Sequence, residues 1–139
     1  MMTSFASDMV SNNNFQANYQ HNSKFDPHKT KRIILAERES QQLFALSHTE
    51  KSEIIIGRRD RLANYTPTLD LALFGGYRLG VSRLHVSIII ENNSVSVIDL
   101  DSSNGTSLND ILLDALKPYT LKTGDKLQLG SLILDVVSA

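Results

Sequence analysis

The chain has 139 residues, a formal net charge of −1 and no cysteine. Those figures leave room for one domain with a tail, and they exclude a disulfide framework, a thiolate metal site and a thiol nucleophile. The near-neutral balance advertises no nucleic-acid surface, no apolar run approaches the roughly 20 residues of a membrane span, and the N-terminus lacks the basic start and apolar stretch of a signal peptide. The expectation is a soluble cytoplasmic protein without nucleic-acid or membrane partners.

Residues 1–31 form a tail rich in Asn, Gln and Ser, with scattered Phe5, Phe15, Tyr19 and Phe25 and no sustained period. Such a composition buries too little apolar surface to offset its ordering entropy, so the tail is expected to be disordered. Its hydroxyl residues, among them Thr3, Ser4, Ser7 and Thr30, also suit a regulatory peptide.

From Arg32 short β-branched runs take over. Arg32–Ala36, Gln42–Leu46 and Glu53–Ile56 read as strands, the last stopped by Gly57-Arg58-Arg59-Asp60. Residues 60–81 read as a long loop, with Leu69–Phe74 as a brief strand or one helical turn within it. A connection of that length inside a compact domain is usually functional or ordered by its own contacts.

Val86–Ile90 and Val95–Leu100 then form a hairpin around Asn92-Asn93. Val95, Val97 and Asp99 share one face of the second strand. Further short runs follow at 107–108, 111–113 and 117–121. Lys126–Leu129 and Leu132–Val137 close the chain. About ten to eleven short strands without a long helix predict an all-β antiparallel sandwich.

The hairpin ends place two polar turns side by side, Ser82-Arg83-Leu84-His85 and Ser102-Ser103-Asn104-Gly105-Thr106. Gly57-Arg58 supplies a third polar loop. Together they offer guanidinium, hydroxyl, amide and backbone N–H donors, but no nucleophile paired with a base. His21, His28, His48 and His85 have no partners at metal-ligand spacing. A hydrolase built on Ser82 and His85 lacks an orienting third group. Donors without a base suggest an anion site. A phosphorylated side chain, with three acceptor oxygens and about −1.5 to −2 charge, matches such a set. Asp99 and Asp101 read as residues flanking a turn.

Gly57-Arg58, Ser82-Arg83-x-His85 and Ser103-Asn104-Gly105-Thr106, with Asn109 beyond, resemble the forkhead-associated (FHA) domain in order and spacing. The resemblance covers about residues 32–137, and the run from Asp70 to His85 is most similar to bacterial members. It divides the chain into the tail, 1–31, and an FHA domain, 32–139, with an FHA/SMAD-like sandwich. It implies a non-catalytic adaptor in Ser/Thr-kinase signalling that binds phosphothreonine peptides without a cofactor or metal. The phosphate would be held by loops 57–60, 82–85 and 102–106. Arg58 and Ser82 should contact the phosphate, and Arg83 the phosphate or the peptide backbone. Ser103 should help hold the phosphothreonine, and Asn104 should bond the peptide main chain. Gly57, His85, Gly105 and Asn109 should shape loops.

Two departures stand out. Asn109-Asp110 replaces the usual Asn-Gly turn. Asp101 stands where many members have Gly or a small residue, and its charge should weaken phosphate binding. The phosphorylated tail is a candidate partner for the domain's own site, although Thr30 is too close to the first strand to reach it. A phosphate-independent module that uses a sheet face is the remaining alternative.

Overall fold

The computed structural model describes residues 31–48 and 51–139. The tail predicted at 1–31 lies outside the described residues, except for its last position. Eleven strands were found: β1 (Lys31–Glu37), β2 (Leu43–His48), β3 (Lys51–Gly57), β4 (Leu69–Asp70), β5 (Val86–Glu91), β6 (Ser94–Asp99), β7 (Thr106–Leu108), β8 (Ile111–Leu112), β9 (Pro118–Thr120), β10 (Lys126–Leu129) and β11 (Leu132–Ser138). They make a six-stranded sheet, β2-β1-β11-β10-β7-β8, and a five-stranded sheet, β4-β3-β5-β6-β9. The predicted strands are recovered with ends shifted by one or two residues. Leu69–Phe74 contains both expected forms, a two-residue strand and then a 3-10 turn at Ala72–Phe74.

Period-two patterning builds the core. Ile33 and Leu35 of β1, Ile54 and Ile56 of β3, Ile88 and Ile90 of β5, Val95 and Val97 of β6, and Leu132 and Leu134 of β11 are all buried. Alternate residues on a strand point to one face, so each of these strands turns one set of alternate side chains into the space between the sheets. Burying an aliphatic side chain of this size contributes about 1.5–3 kcal/mol.

The β5–β6 register carries Val86 opposite Asp99, and β3 lies on the other side of β5 with Ile56 opposite Val86. The ladder continues past the strand ends. The His85 N–H donates to the Ile56 carbonyl at 3.0 Å, and the Leu100 N–H donates to the His85 carbonyl at 2.9 Å. Three adjacent strands therefore end together, and their loops emerge side by side. At the other end of the hairpin Asn92 and Asn93 take φ of 52° and 65°. That is the left-handed pair a two-residue turn needs to match the strand twist.

The long loop 60–81 is ordered by its own contacts. β4 pairs with β3 in parallel, with Gly57 opposite Asp70. Asp70 Oδ1 accepts from the N–H groups of Arg59 and Ala72. The Leu71 N–H donates to the Gly57 carbonyl, and the Val81 N–H to the Gly76 carbonyl. Leu69, Leu71 and Val81 are buried, which anchors the excursion at both ends. Among the described residues no helix is long and apolar enough to cross a membrane.

Candidate functional site

Each of the three loops is held by a different device. At Gly57 the device is close approach. A Cβ there would lie 1.9 Å from the Arg83 carbonyl oxygen. The Arg58 N–H donates to that same oxygen at 3.3 Å. The family resemblance implied only that Gly57 shapes its loop. The structure gives the reason: any side chain would push the Ser82–His85 loop away from β3.

His85 performs the second task. It is fully buried. Its Nδ1 accepts from the Ser82 N–H at 2.9 Å, and its Nε2 donates to the Gly105 carbonyl at 3.0 Å. One imidazole thus ties loop 82–85 to loop 102–106, a loop-shaping role of the kind the resemblance implied. The pair of bonds requires the neutral ring with its proton on Nε2. Burial pushes the ring's pKa down, opposed by the bond to Gly105 and by the charge of Asp99. Because Nδ1 meets the backbone N–H of Ser82, the two side chains are not joined as nucleophile and base.

Asp99 organises the third loop. Its carboxylate is almost fully buried. Oδ1 accepts from the Ser102 and Thr106 hydroxyls, each at 2.6 Å, and Oδ2 accepts from the Ser102 N–H at 3.3 Å. These charge-assisted bonds close the turn on itself. Asp101 takes φ of 58°, a left-handed conformation that a residue without a side chain would adopt more easily. That accounts for the small residue expected there. Gly105 takes φ of 82° and carries the chain back into β7.

The donors of the loops converge on this frame. Arg58 is half-buried, and its Nε donates to the Val81 carbonyl at 2.6 Å. Its guanidinium lies 4.8 Å from the centre of the Tyr77 ring. Fixed from two sides, it retains its terminal nitrogens for a ligand. Ser82 Oγ accepts from the Ser103 N–H at 3.1 Å, so its own hydrogen remains free to donate. Asn104 Nδ2 donates to the Gly80 carbonyl at 3.0 Å, leaving its Oδ1 as an outward acceptor. Ser103 is exposed beside it. The Arg83 side chain is also exposed, with a long 3.4 Å contact to Asp60. Such a pair is weak and easily exchanged for another anion.

Asn109 stands apart from this cluster. Its Nδ2 donates to Asp125 Oδ1, and its Oδ1 accepts from the Lys126 N–H. Asn109 and Asp110 take φ of 51° and 69°, so Asn-Asp makes the left-handed turn that Asn-Gly would make more easily. This turn joins β7 to β8, at the opposite end of β7 from the 102–105 loop. Among the described residues no group of three or more His, Asp or Glu could hold a metal ion.

Sequence reading missed four contributors. Tyr77 and the Val81 carbonyl aim Arg58, and both come from the long loop. Asp99 and Thr106 lock the 102–106 turn. For Asp99 a signal was present: a carboxylate on the same strand face as Val95 and Val97, just before a run of hydroxyl residues, must be buried against donors.

A family model described as the FHA domain matches residues 54–130, more than half of the chain. The chain belongs to the FHA domain family. A 55-residue stretch, 37% of the chain, is 44% identical to the probable E3 ubiquitin-protein ligase dma1 of Schizosaccharomyces pombe and spans 21% of that protein's length. Among solved structures, the FhaA FHA domain complexed with the intracellular domain of Rv3910 is 25% identical. The match covers 75% of this chain and 98% of that one, at a TM-score of 0.56. The N-terminal FHA domain of Rad53p from S. cerevisiae, solved with a phosphothreonine peptide, is 19% identical. It covers 76% of this chain and 94% of that one, at a TM-score of 0.59, and shows the shared fold.

Proposed function

We propose that residues 32–139 form a non-catalytic adaptor domain that binds phosphothreonine segments of partner proteins, with residues 1–31 as a separate tail. The observation that carries this reading is the arrangement of Arg58, Ser82 and Asn104. Each has one polar atom fixed by the backbone of a neighbouring loop and another left for a ligand. Donors already oriented lose little entropy on meeting an anion. Arg58 is the main phosphate contact, with Ser82 donating its hydroxyl. Arg83 leaves its loose pairing with Asp60 to add charge. Ser103 borders the threonine, and Asn104 engages the peptide main chain. Gly57, His85, Gly105 and Asn109 shape the loops. The phosphothreonine peptide in the structure of the Rad53p N-terminal FHA domain supports the choice of residue.

Binding of phosphothreonine peptides, measured by titration calorimetry against their unphosphorylated forms, tests the reading. Arg58→Ala should weaken binding by about 10- to 150-fold, the loss of a charge-assisted pair worth about 1.5–3 kcal/mol, without unfolding the domain. Equal affinity for the two peptide forms would sink the proposal.

Three finer readings belong with it. A cytoplasmic location is consistent with the absence of cysteine. A bacterial affiliation rests on the run Asp70–His85. The domain's own phosphorylated tail is a candidate ligand, because tethering raises its effective concentration. Loop signals of the phosphorylated chain that stay the same with and without residues 1–30 would remove that last idea.

A further inference from the structure

Beside the phosphate loops lies an apolar surface that none of the roles above uses. Ile111, Leu112 and Leu116 are 69%, 70% and 67% exposed. β8, which carries the first two, ends its sheet, so among the described residues no strand pairs with its outer side. The segment is not loose. The Leu113 N–H donates to the Thr106 carbonyl, and the Leu116 N–H to the Asp99 carbonyl, both at 2.9 Å. Segment 111–116 is therefore fastened to the two ends of the 99–106 loop.

The surface is continuous with the proposed peptide site. The Leu112 Cδ1 atom is 3.1 Å from the position a Gly105 Cβ would take, so Leu112 rests on the residue next to Asn104. Leu116 adds an anomaly. Its φ is 64°, a left-handed conformation that costs a bulky side chain energy and that Asn or Gly adopts more easily. Strain of this kind persists where the surroundings enforce it and often marks a binding surface. In the free domain the strained residue gains nothing by burial, because its side chain is in water. A gain is available only if something covers it. Two carboxylates border it: Asp101 and Asp114 are exposed and form no ion pair among the described residues, while the neighbouring Lys117 ammonium lies over the Tyr119 ring.

We propose that Ile111, Leu112 and Leu116 form a second contact surface for the phosphorylated partner, which reads aliphatic and basic residues on one flank of the phosphothreonine. This rests on the phosphothreonine reading above. The apolar side chains would pack over Leu112 and Leu116, and a Lys or Arg would meet Asp101 or Asp114. The phosphate supplies charge recognition common to many partners, and the edge of β8 supplies selection among them.

The test uses phosphothreonine peptides in which one flanking position at a time is Leu, Lys or Ala. They are titrated against the wild-type chain, against Ile111→Ser/Leu112→Ser, and against Leu116→Asn, which suits the left-handed backbone. On one flank Leu and Lys should improve wild-type binding by about 5- to 10-fold over Ala, the scale expected for partial burial of one aliphatic side chain. The double variant should reduce that gain below about twofold while the Ala-flanked reference binds as before. A flank preference that survives in both variants overturns the proposal. So does a concentration-dependent dimer in sedimentation that the double variant dissolves, because the surface would then belong to a second copy. Failure of the wild-type chain to bind the Ala-flanked reference would remove the phosphothreonine reading itself, and this proposal with it. The reference peptide thus separates the two failures.

Discussion

The two ends of the β5–β6 hairpin solve the same geometric problem in opposite ways. At the Asn92-Asn93 end the chain reverses in two residues, both left-handed, a backbone geometry that closes a two-residue turn. At the other end the strands open into loops whose backbones cannot satisfy one another within two residues. There three side chains that are almost fully buried, His85, Asp99 and Thr106, supply the missing partners. The first arrangement is local. The second places the polar groups that hold the loops inside, so that those of Arg58, Ser82 and Asn104 can face outward. The proposed phosphopeptide site sits at the end where the fold needed buried side chains to hold its loops.

Removing the inside partners should expose that contrast most sharply. Asp99→Ala deletes the acceptor of three hydrogen bonds and leaves the buried Thr106 hydroxyl without one. The expected cost is about 3–5 kcal/mol in urea unfolding, with loss of phosphopeptide binding, because bonds to a charged acceptor are strong and an orphaned buried hydroxyl is costly. Asp99→Asn keeps an acceptor oxygen and should fall between the two. Asn92→Gly at the opposite end suits the same left-handed backbone. It should change stability by less than about 0.5 kcal/mol and leave binding untouched. If Asp99→Ala were no more damaging than Asn92→Gly, the contrast between the two ends would have no energetic basis.

The parts of this arrangement that were legible in the sequence are those encoded locally. Alternating Val and Ile runs gave the strands. Asn92-Asn93 gave the turn, and the pairing of its strands brought Ser82–His85 and Ser102–Thr106 together before any contact was known. The family resemblance assigned His85 to loop shaping, which its two ring bonds perform. Contacts made by backbone from a distant segment were not legible. Gly57 faces the Arg83 carbonyl, 26 positions on in the chain, and no local pattern reports that approach. Asn104 bonds the Gly80 carbonyl for a similar reason. The long loop was the largest gap, because its fold depends on Asp70, Leu71 and Val81 finding partners on β3 and within the loop itself.

Protonation offers a gentler way to loosen the inside partners. The folded His85 has a lowered pKa, chiefly through burial. The unfolded ring therefore takes up a proton at a higher pH, near its ordinary 6.5. Above that value both states are neutral and pH has no effect through this residue. As pH falls below about 6.5 the unfolded state gains protons first, and stability declines until the folded ring also titrates. The slope from a single such group is at most about 1.4 kcal/mol per pH unit. Protonation also puts a proton on Nδ1, which then cannot accept from Ser82, so the 82–85 loop should lose its tie. Thermal unfolding between pH 7.5 and pH 5 should show a decline that His85→Asn lacks. Equal declines in the two proteins would assign it to the carboxylates.

The smallest expected effect tests whether the site needs support from outside as well. Tyr77 is 79% exposed, and its ring face lies 4.8 Å from the Arg58 guanidinium. Val81 holds Nε, but a single hydrogen bond leaves the guanidinium free to swing about it. The ring face restricts that swing and attracts the cation by about 0.5–1 kcal/mol at an exposed site. Tyr77→Ala should therefore weaken phosphopeptide binding by about two- to fivefold, with no measurable change in unfolding. Tyr77→Phe should bind as wild type, because the ring face rather than the hydroxyl makes the contact. A loss in Tyr77→Phe as large as in Tyr77→Ala would instead make the phenol a direct ligand contact. The signature of positioning is that the Tyr77→Ala defect vanishes once Arg58→Ala is also present: a ring that acts only by aiming Arg58 has nothing left to aim.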